Sequence, residues 1–131
     1  MMIIGHSWLR REQFICIKSR DSIELTPAGS ILLFEQLEKD IELILYAQAQ
    51  NLPFAIRVNS ITEAIFAHNL KSNYIFVEAN NAKEIQDIAQ HYLFDTQVLV
   101  EIASEDEIAT YAKLGIDGVV LPSAIELSYC Q

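Results

Sequence analysis

Two cysteines, three prolines, four glycines and one tryptophan among 131 residues are a sparing use of the side chains that staple, break or bend a chain. Cys16 lies inside an apolar run and Cys130 next to the last residue, which is no disulfide framework and suits a reduced, cytoplasmic setting. No stretch of eighteen apolar residues runs free of charge, so a membrane helix is excluded. The opening MMIIGHSWLRREQ lacks the long apolar core and small-residue cleavage site of a signal peptide. Positive charge is scarce as well. Nine Lys and Arg face eighteen Asp and Glu, a net charge of -9, and so acidic a chain is poorly suited to phosphate backbones or anionic lipid. Neither nucleic acid nor membrane is expected as a partner. His6, His68 and His91 stand at no metal-ligand spacing, and no metal or cofactor motif is present.

What the chain has in quantity is apolar surface. With 51% hydrophobic residues it is no acidic disordered tail, and its length suits one domain with a real core. From residue 31 onward one theme repeats about every 22 residues, a short β-branched run followed by an amphipathic stretch and a turn. The runs are Ile31 to Phe34, Phe54 to Val58, Tyr74 to Glu78, Val98 to Ile102 and Val119 to Leu121. Each is nearly continuous in apolar residues, as parallel strands buried on both faces are. Glu38 to Gln50, Ile61 to Asn69, Ala82 to Tyr92 and Glu105 to Leu114 carry apolar residues at helical spacing. Ser60 with Glu63 and Ser104 with Glu107 are capping boxes, and Gly115 suits a helix C-terminus. The expectation is an α/β fold, a parallel sheet with flanking helices. Its first strand has an alternative, since Ile31 to Gln50 also reads as one long helix after Thr26-Pro27. Residues 1 to 30 differ in kind: Met2 to Trp8, Phe14 to Lys18 and Ile23 to Leu25 predict an N-terminal antiparallel β-meander on a body of residues 31 to 131, all within one domain.

The stretches SILLFEQ, PFAIRVNSITEAIFA, SNYIFVEA, QVLVEIAS and LGIDGVVLP resemble the strand regions of response-regulator receiver domains, whose fold is flavodoxin-like. The resemblance covers residues 31 to 128 and no signature. Phosphoryl transfer in that family uses an acidic pair, a phosphoacceptor Asp, a hydroxyl and a Lys, because magnesium takes hard oxygen ligands and the transferred group needs a fixed cation. Glu35-Gln36, Glu78 and Ile102-Ala103 stand at the first three of those places, and Leu121-Pro122 has no lysine before its proline. The resemblance therefore implies a degenerate, non-catalytic pseudo-receiver. QVLVEIASEDEIATYAKLGIDGVVLPSAI is also similar to two units of a phosphate-binding (βα) barrel of the indole-glycerol-phosphate synthase kind. Eight full units need roughly 200 residues or more, so that resemblance implies about half a barrel. FICIKSRDSIELTPAGSILLFEQ is similar to the wing of LysR-type regulators, without the recognition helix that precedes it there.

Ligands in α/β sheets bind at the C-terminal ends of parallel strands. Glu78, Glu101, Asn59, Asn80 and Ser123 fall there, with Arg57 as the nearest cation, and they form the candidate ligand set. Carboxylates flanked by apolar neighbours are costly to bury without a partner, which is why Arg57 matters. Trp8 beside Arg10 and Arg11 is a candidate interface anchor, as are Ile125 and Tyr129. After Leu121 ten residues remain, too few for a long covering helix. A bare sheet face is expected, finished by the meander or by a second copy, and hence a homodimer. The charge is unevenly placed: Arg10, Arg11, Lys18 and Arg20 against Glu12 give the first twenty residues a surplus of three positive charges, which against the overall -9 leaves -12 for the rest. The composite expectation is a regulatory or protein-binding module. The alternative is a small-ligand-binding protein or enzyme using strand-end carboxylates.

Overall fold

The computed structural model describes residues 1–9 and 12–127. Along it run β1 (Met2–Ile4), β2 (Phe14–Cys16), α1 (Arg20–Leu25), β3 (Ile31–Phe34), α2 (Ile41–Ala49), β4 (Phe54–Arg57), α3 (Ile61–Asn69), β5 (Tyr74–Val77), α4 (Ala82–His91), β6 (Gln97–Glu101), α5 (Ile108–Lys113), β7 (Gly118–Val120) and β8 (Ile125–Glu126). Two 3-10 turns, Glu105–Glu107 and Pro122–Ala124, precede α5 and β8. The residues at 31–34 form a strand, not the start of a long helix. All eight strands belong to one sheet in the order β1-β7-β6-β5-β4-β3-β2-β8, and every pairing is parallel.

Near-continuous apolar runs form these strands because both faces are buried. Alternate residues such as Leu32, Phe34, Ile56, Ile75, Val98 and Val100 face the helices, joining Ile44, Ala64, Ala67, Ile85 and Ala89 in an outer core. The residues between them, Ile31, Leu33, Ala55, Phe76, Leu99 and Val120, join Ile4, Phe14 and Ala124 in an inner core to which, among the described residues, no α-helix contributes. The inner core exists because the sheet curls. The ring of Phe14 on β2 meets that of Phe76 on β5 edge-on at 5.0 Å, although two strands separate them in the sheet. Curling also brings the two edges together. Ser123 Oγ donates to the Gly5 carbonyl at 2.7 Å, so the turn after β7 crosses the end of β1 on its way to β8. Close approach makes glycine necessary at Gly118, where a Cβ would stand 2.7 Å from Leu99 Cδ2 and 3.0 Å from the Met2 carbonyl oxygen.

Three expectations are corrected. The N-terminal antiparallel meander is not there, because β1 pairs in parallel with β7 and β2 in parallel with β3, as full members of the sheet. Ile23 to Leu25 belongs to a helix, since Ser19 accepts the Ser22 N–H as an N-cap and starts α1 one residue later. Among the described residues no bare sheet face awaits a missing helix, because the curled sheet covers its own inner side and Ala124 and Ile125 help to fill it. The order from β2 to β7 follows the sequence without reversal, whereas a flavodoxin-like sheet reverses at a switch point. Among the described residues no helix is long and apolar enough to cross a membrane.

Candidate functional site

Parallel strands place all their C-terminal ends at one rim, and strand alternation decides what faces inward there. On β3 the inner-core residues Ile31 and Leu33 are followed by Glu35, one residue past the strand. On β4 the inward residue after Ala55 is Arg57, and on β6 the one after Leu99 is Glu101. These three side chains meet over the mouth of the curl. Arg57 Nε donates to Glu35 Oε2 at 2.6 Å, and Arg57 Nη2 donates to Glu101 Oε1 at 3.0 Å. The guanidinium stands over the Phe76 ring, 5.3 Å from its centre, so the charged layer rests directly on the inner core.

The pairing is graded. Arg57 and Glu35 keep about a quarter of their side-chain surface, 26% and 25%, while Glu101 keeps 41%. Burial by itself lowers the Arg57 pKa, but the bond and charge of Glu35, followed by those of Glu101, outweigh it and raise it above its ordinary value. One cation between two carboxylates leaves the cluster with a single negative charge. Cys16 lies beneath, fully buried, with Sγ 3.8 Å from Glu35 Oε1. It is disulfide-bonded, where the sequence suggested no disulfide framework and a reduced setting, and Cys130 lies outside the described residues.

The other candidates spread around the rim. Glu78 and Asn80 are exposed just beyond β5. Asn59 is exposed too, and its backbone is used in helix starts: its N–H donates to Glu63 Oε1 at 2.7 Å and its carbonyl accepts from Asn81 Nδ2 at 3.1 Å. Ser123 serves the seam between the sheet edges, and Ile125 packs half-buried against the inner core. Arg10, Arg11 and Tyr129 lie outside the described residues. Of the candidate ligand set, then, only Arg57 and Glu101 come into contact, through a bond from β4 to β6 that passes over β5.

A second arrangement at the same rim joins the candidate anchor Trp8 to His6 and Glu105, which were not in the candidate set. His6 Nδ1 accepts the Trp8 N–H at 3.1 Å, so Nε2 carries the proton and donates to Glu105 Oε2 at 2.8 Å. The His6 ring meets Trp8 edge-on at 4.9 Å, and Trp8 is 88% exposed. Beside it runs a groove of about 510 Å³ bordered by Ile3, Leu9, Ile108, Glu105 and Asp106. A 99-residue separation hid the His6–Glu105 bond from the sequence. Glu35, by contrast, was readable from the alternation Ile31, Leu33, Glu35. Among the described residues no group of three or more His, Cys, Asp or Glu is placed to hold a metal ion.

Fold and rim together define an α/β protein whose curled parallel sheet carries an ion-paired mouth and an exposed, braced tryptophan. Comparison with known proteins finds no matching family and no matching curated protein.

Proposed function

We propose that this chain is a non-catalytic protein-binding module, of the regulatory kind, whose anchor is Trp8. The observation that carries this reading is an indole 88% exposed whose ring meets His6 edge-on and whose backbone N–H is held by the same His6, itself bonded to Glu105. Interface hot spots are enriched in tryptophan, and an anchor already held in position loses less entropy on binding. The mouth supports the non-catalytic half of the reading. Its cation is already engaged by two carboxylates, and the space below is filled by Phe76, Leu99 and Val120. A photoreactive benzoylphenylalanine in place of Trp8 is expected to yield a discrete protein adduct, either with another copy or with a different protein of the source cells. Where the adduct is with a different protein, excess wild-type chain should compete it away and Trp8→Ala should not. A featureless labelling pattern, unchanged by the competitor, counts against the module.

One observation favours a second reading. Glu101 is the more exposed of the two partners of Arg57 and holds it by one bond, so a small carboxylate or phosphate ligand has a route to the guanidinium by displacing it. The sequential parallel order supports kinship with phosphate-binding (βα) barrels over kinship with receivers. In a thermal-shift series of phosphorylated and carboxylated metabolites, a binder present at 100 times its Kd adds about 2.7 kcal/mol to stability. That gain should vanish in Arg57→Met. If no compound raises the melting temperature, the ligand reading is lost.

A further inference from the structure

The far side of the molecule offers a surface that matches the Trp8 loop. Between the start of α2 and the length of α3 lies a groove of about 460 Å³ whose floor is Leu37, Ile41, Phe66 and Leu70 and whose rim carries Glu38 and Glu63. Phe66 remains 57% exposed and its neighbour Ile65 is exposed as well. A soluble surface seldom leaves such neighbours bare without a use. The rim is acidic, with Glu42 on the next turn of α2 and Lys39 the one basic residue between Glu35 and Ala55. The Trp8 loop has the opposite character: Trp8 and Leu9 are exposed, and the sequence follows them with Arg10 and Arg11.

We propose that the α2–α3 groove receives the Trp8–Leu9 loop of a second copy of this chain. The apolar pair fills the apolar floor, and the positive charge of the sequence around it is complementary to the acidic rim. The inference rests on the protein-binding reading above and names the partner. It also sets the geometry of association. In the sheet order β1 stands four places from β4, halfway round eight strands, so the loop after β1 and the groove beside α3 face opposite ways. Knob and hole on opposite sides cannot be exchanged across one two-fold axis. Copies therefore join head to tail, in rows that grow with concentration, in place of a closed homodimer. A single two-residue knob buries well under about 1,200 Å², the range of weak, transient contacts, so assembly belongs at high micromolar concentration.

Complementation tests this directly. Trp8→Ala removes the knob and keeps the hole, while Phe66→Asp spoils the hole and keeps the knob; both positions are exposed, and circular dichroism confirms that each variant folds. In sedimentation equilibrium from roughly 10 µM to 1 mM, a span of about two decades in Kd, the wild type is expected to rise steadily above its 14.8 kDa monomer mass. Each variant alone should stay monomeric. The two mixed should form a one-to-one pair and stop, because one intact knob meets one intact hole. Salt raised to about 0.5 M should weaken the wild-type rows by screening the rim charges. A wild type that remains monomeric throughout, a variant that still assembles alone, or a mixture that fails to pair would each overturn the proposal. A hetero-adduct at position 8 alongside a monomeric wild type would overturn self-association and leave the module reading standing.

Discussion

Phe76→Ala is expected to remove about 3–5 kcal/mol of stability, the range for emptying a buried phenylalanine site. Phe76 is fully buried at the centre of the inner core, edge-on to Phe14 and beneath the Arg57 guanidinium. Its neighbours in register, Arg57 and Leu99, belong to strands fixed by their own ladders, so little can move into the void. Against the roughly 5–15 kcal/mol typical of whole domains, the loss is a large share of the total. Urea unfolding should show the midpoint falling while the slope holds, the sign of lost stability without a change in exposed surface. Phe66→Ala is the control, since its half-exposed ring leaves no interior cavity. A loss below about 1.5 kcal/mol at Phe76 would mean that the inner core is loosely packed.

Arg57→Met has the second largest expected effect, about 2 kcal/mol, smaller than the 3–5 kcal/mol of a fully buried pair because all three members keep some water contact. The cost comes from what stays behind. Without the guanidinium, Glu35 is left three-quarters buried with no cation, beside Glu101 of the same charge. A double variant that also carries Glu35→Gln should therefore regain most of the loss, and a double-mutant cycle would read that coupling. Glu101→Gln alone should cost no more than about 0.5 kcal/mol, as exposed pairs do. Equal losses from Glu35→Gln and Glu101→Gln would contradict the graded geometry of the site.

How much of this was readable depended on how local the cause was. The five body strands stood out because burial on both faces leaves few polar residues in any of them. Ser60–Glu63 and Ser104–Glu107 marked helix starts because capping is completed within four residues, and both caps are made. Pairing was another matter. The three-residue runs at β1 and β2 say that strands form, yet nothing in MII or FIC tells that the first pairs with residues 118–120 and the second with 31–33. Reading Ile23 to Leu25 as a strand, when Ser19 caps a helix that runs through them, then turned two parallel strands into an antiparallel meander. The same gap concealed the site. Arg57 and Glu101 were selected for lying at strand ends, and Glu35 was passed over, although it continues the β3–β4 register opposite Arg57 and lies closest of all to the guanidinium. Curvature of the sheet is set by how inner side chains pack across it, and single-strand patterns carry no trace of that.

The seam closed by β1 has a consequence for how the chain acquires its shape. Met2 to Ile4 pair with Gly118 to Val120, more than a hundred residues later. Strands β2 through β7 can add to one another in order as they leave the ribosome, each beside the one made just before. Strand β1 has no such neighbour and waits until residues 118–120 have been made. Contacts so distant in sequence slow the final closing step, and for that interval β1 and the facing edge of β7 are open to pairing with other chains.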